Sequence, residues 1–445
     1  MTLALPRLAP VVPAAGPPPR YACYPTAAQF REGVGAEQAD AWAAALRPGA
    51  RIGLRAHVPF CERLCWFCCS RTQRAGGREP VGDFLAGLAR EAERIGARLP
   101  AGAEVVEIRW TGGSPTILDP DQMRALDRAL RAALPVARGA RLIVELEPQG
   151  LDPLRLETLL GLGLAEAAVG LQDFHPAVQA MIGRATDPQD VAALVADLRR
   201  GGVGRIAFDL LYGLPAQTAE SFAAACGVAA ALGPDAATLS GYAHVPWMAK
   251  RQRMIPEAAL PGAALRRAQF AAGAARLAAR GYRACGAELF LAPGDPLAAA
   301  HAAGGLRRDI GAYWAGSALD AAIGLGPAAV SRYPQGYVQN VGETGAYLDL
   351  LAAGRGAGAR GLAFGLDDRL RGRAIETLFC ALRVDLAGLR AEFGDFADTL
   401  AELCAAAARA FPGAVAASPE GIALDPDEPL LAPRVAAFFD AYAAV

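Results

Sequence analysis

The sequence predicts an α/β protein, a partial (β/α)6 barrel of the TIM type followed by a small, mainly helical C-terminal domain. Two observations support this prediction. From residue 52 onward, short apolar runs alternate with amphipathic helical stretches at intervals of about 30–40 residues, which is typical of parallel βαβ units with right-handed crossovers. From about residue 365, these apolar runs give way to long helical periodicity.

Six strand-and-turn units can be read in order along the barrel. The predicted strands cover 52–58, 104–111, 140–146, 165–171, 204–210 and 237–243. The predicted helices lie between them, near 81–97, 120–134, 153–162, 188–200 and 217–232. In barrels of this kind, ligand-binding residues lie at the C-terminal ends of the strands, so the strand ends are the first places to look for a site.

The length of 445 residues exceeds that of one average domain. We expect an N-terminal arm and lid segment over 1–50, the barrel over 51–250, a barrel-capping extension over 251–360 and the helical domain over 361–445. Within the first segment, the stretch 6–19 is rich in Pro and Ala and predicts a mobile arm. The polar-aromatic stretch 20–30 either packs the N-terminus onto the domain or closes over a substrate.

Charge and hydropathy exclude several classes of protein. With 44 basic and 45 acidic residues, the net charge is −1, which offers no electrostatic footprint for nucleic acid or an anionic membrane. Charged residues interrupt every apolar run before it reaches the length of a bilayer span, and the first residues do not form a signal peptide. We therefore expect a cytoplasmic protein without nucleic-acid partners, and nothing in the sequence demands more than a monomer.

The first predicted strand leads directly into a loop of cysteines. Cys61, Cys65 and Cys68 are separated by three and then two residues, and Cys69 follows at once. Four cysteines close a [4Fe–4S] cubane, whereas three leave one iron open to a small ligand, so the spacing predicts an open cluster. A disulfide pair would need an oxidising compartment, and a zinc loop would need a second pair of ligands. The other cysteines are expected to be small buried hydrophobes: Cys23, Cys226, Cys285, Cys380 and Cys404.

The second and third predicted strands end in residues suited to ligand binding. Gly112 and Gly113 allow a ligand to approach the backbone closely, although a tight turn explains these glycines equally well. Glu145 stands at the end of the third strand, where a carboxylate needs a hydrogen-bond donor or a cation.

The later strand ends add further polar side chains. Gln172 can recognise ribose or amide groups, and Arg184 can bind a carboxylate through two hydrogen bonds. Asp209 places a second carboxylate near the same rim. His244 follows the sixth strand, where a solitary histidine is more often structural than catalytic. The basic run 250–253 predicts a solvated helical face, or a contact for a polycarboxylate substrate.

Together with the cysteine loop, several motifs resemble the oxygen-independent coproporphyrinogen III oxidases, also called coproporphyrinogen dehydrogenases, over nearly the whole chain. This family belongs to the radical S-adenosylmethionine (radical SAM) enzymes. The matching pieces are Arg20-Tyr21, Tyr24–Thr26, Gly112–Thr116, Gly170–Phe174, Asp209–Pro215, Gln217-Thr218, Tyr242–His244 and Tyr337–Asn340.

The resemblance implies a set of cofactor ligands. Cys61, Cys65 and Cys68 would hold a [4Fe–4S] cluster. The residues that would bind SAM are Gly112, Gly113, Ser114, Glu145, Gln172, Arg184 and Asp209, with apolar contacts from Phe67 and Ala243. One or two molecules of SAM would bind, and a small protein such as flavodoxin or ferredoxin would donate the electron.

The implied activity is the oxidative decarboxylation of two propionate side chains of a tetrapyrrole, coproporphyrinogen III, to the vinyl groups of protoporphyrinogen IX. The chain departs from the family pattern at Arg55, at Ser70, within Gly286–Ala292 and at Ile310-Gly311. Two alternatives therefore stand beside this activity. One is a divergent radical SAM paralogue, a methyltransferase or another tetrapyrrole-modifying enzyme, and the other is a haem or cluster carrier without turnover.

Overall fold

A computed structural model describes residues 20–77, 79–315 and 319–443. The arm predicted at 6–19 lies outside the described residues. The chain divides into two compact units, a larger one of Phe30–Arg283 with Leu319–Ala363, and a smaller one formed from the described parts of Met1–Gln29, Ala284–Ala318 and Phe364–Val445. The four-segment division expected from the sequence stays a prediction.

The strands of the described residues are numbered in chain order. They are β1 (Arg51–Val58), β2 (Phe60–Cys61), β3 (Gln73–Arg74), β4 (Glu104–Gly112), β5 (Val136–Leu146), β6 (Leu164–Gln172), β7 (Arg205–Tyr212), β8 (Ala236–Gly241), β9 (Arg283–Cys285), β10 (Leu289–Leu291), β11 (Leu306–Asp309), β12 (Ala312–Ala315), β13 (Ala321–Leu325), β14 (Val330–Tyr333), β15 (Gly336–Asn340), β16 (Gly358–Ala363), β17 (Arg383–Asp385), β18 (Val415–Ser418) and β19 (Gly421–Leu424).

The α-helices are numbered in the same way. They are α1 (Ala36–Ala44), α2 (Glu79–Gly96), α3 (Pro120–Ala133), α4 (Pro153–Gly161), α5 (Pro176–Ile182), α6 (Pro188–Arg200), α7 (Ala219–Ala231), α8 (Ala263–Ala278), α9 (Pro296–Ala302), α10 (Thr344–Ala352), α11 (Leu366–Ala381), α12 (Leu386–Phe393), α13 (Ala401–Ala410) and α14 (Ala432–Ala436). None of the helices in the described part of the chain has the length and apolar character that a bilayer crossing requires.

The parallel sheet of the larger unit confirms the predicted barrel. Strands β1, β4, β5, β6, β7 and β8 lie side by side in chain order, and every pair is parallel. Helices separate them in the chain as predicted. Strand β6 is buried at most of its positions, as parallel strands in α/β proteins usually are.

Helix starts in this unit are set by local sequence. Asp119 caps α3 by accepting hydrogen bonds from the backbone amides of Asp121 and Gln122, while the Gln122 side chain accepts from the Asp119 amide. This reciprocal capping satisfies amide groups that a helix end leaves without partners. Pro120 takes the first helical position, where its missing N–H costs nothing.

Residues 319–363 lengthen the sheet on the other side of β1. Strand β13 pairs with β1 in parallel, and β14, β15 and β16 follow it as antiparallel neighbours. Strand β15 contains the motif Tyr337–Asn340. Gly324 lies inside β13, and a larger residue would not fit there, because a Cβ would come within 2.7 Å of the Val330 carbonyl oxygen.

The smaller unit contains the helical stretch predicted near the C-terminus, together with a small sheet. Helices α11, α12 and α13 pack around a three-stranded antiparallel sheet in the order β17, β19, β18. The N-terminal stretch packs here as well, since the Tyr21 hydroxyl donates to Asp440 Oδ2 at 2.9 Å and the Ala441 amide donates to the Tyr24 hydroxyl oxygen. The packing alternative for the stretch 20–30 is thus confirmed for Tyr21 and Tyr24.

Candidate active site

The cysteine loop is closed at its base by a short pair of strands. β2 and β3 pair in parallel, and the Gln73 amide donates to the Pro59 carbonyl oxygen at 2.8 Å. The Ala75 amide donates to the Cys61 carbonyl oxygen at 3.2 Å. The loop therefore leaves the C-terminal end of β1 and returns to it, which holds all three predicted ligands at the carboxyl edge of the sheet.

The three predicted ligands are thiols in a partly buried setting. Burial and, to a smaller extent, the nearby Cys68 thiolate raise the pKa of the Cys61 thiol to about 11, against the lowering effect of a hydrogen bond with Thr72. Burial also raises the pKa of the Cys65 thiol, against the lowering effect of the Arg184 guanidinium. Thiolates that repel one another in a buried loop are stabilised when they bind metal, because binding removes their protons and neutralises their charge. Among the described residues, Cys61, Cys65 and Cys68 form no disulfide bond.

The arrangement of the thiols differs from that of a zinc site. Among residues 20–77, 79–315 and 319–443, no three His, Cys, Asp or Glu side chains form a group that could hold a single metal ion. A zinc ion needs four ligands converging on one point. The thiolates of an iron–sulfur cubane each bind a different iron and need not converge, so this observation is compatible with a cluster.

The two glycines at the end of β4 lie directly against the cysteine loop. A Cβ on Gly113 would lie 2.9 Å from Cys61 Sγ and closer still to the Phe60 carbonyl oxygen. Gly112 has a φ of +117°, and a Cβ there would lie 2.7 Å from the Val58 carbonyl oxygen. The glycines are therefore required by close contact with the loop, beyond the needs of a turn.

The neighbouring polar groups at this edge are partly engaged within the protein. Glu145 Oε2 accepts a hydrogen bond from the Gly112 amide at 3.3 Å, which is the kind of donor that the sequence predicted for it. The Ser114 hydroxyl is buried and bonded to Thr116 Oγ1 at 2.8 Å. A contact between the Ser114 hydroxyl and SAM stays a prediction.

Arg184 joins the cysteine loop to the ends of two strands. Its Nη2 donates to the Gly170 carbonyl oxygen at 2.7 Å, and its Nη1 lies 3.1 Å from Glu147 Oε1 and 3.9 Å from Cys65 Sγ. The sequence indicated that Arg184 can bind a carboxylate, but it did not identify Glu147, whose carboxylate lies beside Arg184 in the fold. The sequence signal for this partner was the position of Glu147, which is a second acidic residue two positions after Glu145.

Gln172 and Asp209 lie beside this group. Gln172 adopts a φ of +61°, at a point where the register between β6 and β7 shifts. Its Nε2 lies close to Gly170, since a Cβ on that glycine would be 2.9 Å away. Asp209 on β7 is the direct strand partner of Gly170 and is exposed.

Phe67 and Ala243 are brought together by a residue that the sequence did not single out for this role. Gln252 is fully buried, and its Nε2 donates to the Phe67 carbonyl oxygen at 2.7 Å and to the Ala243 carbonyl oxygen at 3.1 Å. Arg251 likewise donates to the Thr72 carbonyl oxygen at 2.8 Å. The prediction of a solvated face is therefore wrong for Arg251 and Gln252, which brace the cysteine loop.

His244 has the structural partners expected of a solitary histidine. Its Nδ1 is 2.9 Å from the Tyr242 hydroxyl, and its Nε2 is 3.7 Å from Glu257 Oε1. Tyr242 belongs to an apolar cluster with Val178, Ile182, Leu214 and Ile255, against which Phe67 packs.

The residues present fit an iron–sulfur cluster with SAM beside it. Three thiols form the ligand set, and glycines leave the backbone open next to them. Gln172 Oε1 and Arg184 Nε are buried, and neither has a hydrogen-bond partner among the described residues. Buried polar atoms of this kind normally have a partner, so a polar ligand at this edge would satisfy them.

Comparison with known proteins first identifies the superfamily to which the chain belongs. The family model of the radical SAM superfamily matches residues 56–227, which contain the cysteine loop and the strand ends described above. The chain is therefore a radical SAM enzyme, and its cofactors are a [4Fe–4S] cluster and SAM.

The particular family follows from relatives matched over nearly the full length. Oxygen-independent coproporphyrinogen III oxidase from Paracoccus denitrificans (strain Pd 1222) is 39% identical over 424 residues, covering 95% of this chain and 94% of the relative. The protein of the same name from Escherichia coli (strain K12) is 33% identical, covering 95% and 93%. The solved structure of coproporphyrinogen III oxidase (HemN) from Escherichia coli, described as a radical SAM enzyme, aligns with a TM-score of 0.88 at 32% identity, covering 95% and 97%. The chain belongs to the family of oxygen-independent coproporphyrinogen III oxidases.

Proposed function

We propose that this chain catalyses the oxygen-independent oxidative decarboxylation of two propionate side chains of coproporphyrinogen III, giving protoporphyrinogen IX. The observation that supports this most strongly is the match to enzymes of that name across 95% of the chain. A shared barrel alone would support only the class of chemistry, because the same fold serves many reactions.

The cysteine loop and the strand ends have separate roles in this proposal. Cys61, Cys65 and Cys68 would hold the cluster and leave one of its irons open to SAM. Arg184, held by Glu147 and Gly170, places a positive charge beside the Cys65 thiolate. That charge offsets part of the negative charge that three thiolates bring into a buried site.

The strand ends position SAM. Gly112 and Gly113 keep side chains out of the space next to Cys61, so that SAM can lie against the backbone. Its remaining contacts come from Ser114, Glu145, Gln172 and Asp209, with Phe67 and Ala243 as the apolar residues. Gln172 Oε1, which is buried and unpaired among the described residues, would accept a hydrogen bond from SAM.

The cofactors carry the difficult chemistry, and the chain positions and shields them. When bound, they supply the 5′-deoxyadenosyl radical that removes a hydrogen atom from the β-carbon of a propionate, after which CO2 and one electron leave and a vinyl group remains. The electron that starts each cycle comes from a small protein such as flavodoxin or ferredoxin. We further propose that the chain works as a monomer in the cytoplasm.

An anaerobic assay tests this function directly. Reconstituted protein is incubated with SAM, dithionite and coproporphyrinogen III, and both 5′-deoxyadenosine and the porphyrin products are measured. We expect vinyl-bearing product with one 5′-deoxyadenosine for each vinyl group formed. Deoxyadenosine without decarboxylation would reject this substrate and favour a paralogue acting on another one, and the absence of deoxyadenosine would favour a carrier.

A further inference from the structure

The stretch 247–254, which contains Arg251 and Gln252, also carries an exposed apolar surface. Trp247, Met248 and Met254 are exposed to 73%, 66% and 59% of their maximal areas. They are three of the eight large apolar side chains that lie exposed among the described residues, and they fall within eight consecutive positions. Scattered single apolar residues are normal on a protein surface, but a cluster of them marks a site of interaction.

Two positively charged side chains lie within this apolar stretch. Lys250 and Arg253 are exposed between the three apolar residues. We call these five residues the 247–254 ridge. Arg71 and Arg74, which flank the loop residue bonded to Arg251, are also exposed. None of these four basic side chains forms an ion pair with a carboxylate in the described residues, although the whole chain has a net charge of −1.

The ridge is joined to the cluster loop by direct hydrogen bonds. Arg251 Nη1 donates to Thr72 Oγ1 at 3.0 Å, and a side-chain hydrogen bond links Thr72 to Cys61. Gln252 holds the carbonyl oxygen of Phe67, the residue before Cys68. A protein bound on the ridge would therefore lie next to the loop that holds the cluster, and a short path is what electron transfer requires.

We propose that the 247–254 ridge, with Arg71 and Arg74, is the docking surface for an acidic flavoprotein of the flavodoxin type. This proposal rests on the proposed function, which needs one electron delivered to the cluster for each SAM cleaved. In that step the donor flavin is oxidised by one electron and the cluster is reduced by one electron. The basic residues attract an acidic partner, and the apolar centre covers the apolar edge at which its flavin is exposed.

The shape and composition of the surface agree with this partner. Trp247 and Arg253 line a shallow groove of about 470 Å³ together with His244, Pro246, Ile255, Pro256 and the exposed carboxylate of Glu257. Tryptophan and arginine are the residues most often found to dominate binding energy at protein interfaces. The exposed methionines add a flexible apolar contact that can adapt to a partner.

Binding measurements test the surface without depending on turnover. The affinity of a purified bacterial flavodoxin is measured by calorimetry at low and physiological salt for the wild type, for Lys250→Glu/Arg253→Glu and for Trp247→Ser/Met248→Ser. Arg138→Glu is the control, because Arg138 is exposed near the N-terminal end of β5, the edge of the sheet away from the loop. We expect the charge reversal to weaken binding about tenfold or more at low salt and to reduce its salt dependence. The apolar variant should also bind more weakly, and Arg138→Glu should bind like the wild type.

SAM cleavage with two reductants separates this proposal from the proposed function. Dithionite needs no docking surface, so both ridge variants should cleave SAM with dithionite at the wild-type rate and with reduced flavodoxin at a much lower rate. Unchanged flavodoxin affinity in both variants would overturn the proposal. Binding of ferredoxin and of anionic lipid vesicles is measured for the same variants. A loss of affinity for only one of these two, with flavodoxin binding intact, would also overturn the proposal. A wild type that binds flavodoxin at the ridge but fails to cleave SAM with dithionite would contradict the proposed function and leave the docking surface standing.

Discussion

Glu91 on α2 provides the sharpest test of how the sheet beside the cysteine loop is held together. Its side chain is only 5% exposed and accepts three hydrogen bonds from distant parts of the larger unit. Gly326 N donates to Oε2 at 2.8 Å, Tyr347 Oη donates to Oε2 at 2.6 Å, and Asn340 Nδ2 donates to Oε1 at 2.7 Å. Glu91→Ala removes the acceptor from all three donors at once.

The expected loss of stability follows from those three donors. A buried donor left without an acceptor costs about 1–3 kcal/mol, so Glu91→Ala should lower the free energy of unfolding by roughly 3–9 kcal/mol. The turn at Gly326 should be most affected, because a Cβ there would already clash with the His57 carbonyl oxygen and the turn has little room to move. Since His57 precedes the cysteine loop, we expect the variant to retain its cluster poorly as well.

The ionisation of Glu91 adds a dependence on pH. Burial raises the pKa of this carboxyl from 4.5 to about 7, although its three hydrogen bonds lower it. Between pH 4.5 and 7 the folded state therefore holds a proton that the unfolded state has released. The stability contributed by the protonated form is complete below the unfolded pKa and is lost as the pH rises through 7, a change of about 3 kcal/mol.

Chemical denaturation checks both expectations. Unfolding free energies are measured between pH 4.5 and 8 for the wild type, Glu91→Ala, Glu91→Gln and Glu93→Ala, an exposed position on the same helix. The wild type should lose stability relative to Glu91→Gln as the pH rises, because glutamine does not ionise. A loss below about 1 kcal/mol for Glu91→Ala, or a wild type that gains stability relative to Glu91→Gln, would refute this account of the buried carboxyl.

Three further predictions concern the site itself. Gly113→Ala should abolish cluster absorbance after reconstitution, because the new Cβ would press on Cys61 Sγ. Gly161→Ala is the control and should leave the absorbance unchanged, because a Cβ there would have no atom within 4 Å. Equal spectra for the two variants would contradict the close contact. Cys65→Ala should lose iron, since two thiolates cannot replace three, and Cys69→Ala should keep it; the reverse result in an iron assay would sink the ligand assignment. Gln252→Ala should lower the unfolding free energy by about 2–4 kcal/mol, because the carbonyl oxygens of Phe67 and Ala243 lose their donor. The cluster should also have a shorter lifetime in air. An unchanged lifetime would contradict the proposed role of Gln252 in holding the cysteine loop.

Much of the fold and part of the site follow from local sequence. The six parallel strands and the helices between them were predicted within a few residues, because hydrophobic periodicity reports which face of an element is buried. The spacing of Cys61, Cys65 and Cys68 needs no tertiary information, since one short loop carries all three. The strand ends were predictable for the same reason, because parallel strands bring their carboxyl ends to one edge of the sheet.

Other features depend on pairs of residues that only folding brings together. Arg184 meets Glu147 and Gly170, Gln252 bridges Phe67 to Ala243, and Glu91 gathers donors from three separate segments. No periodicity links such residues, because each contact is set by how elements distant in sequence pack. Gly324 shows the same limit, because the close approach of the Val330 carbonyl oxygen, which requires a glycine in this strand, is set by the packing of two strands. Periodicity and spacing thus determined the elements and the cysteine ligands, whereas packing decided which polar groups brace them.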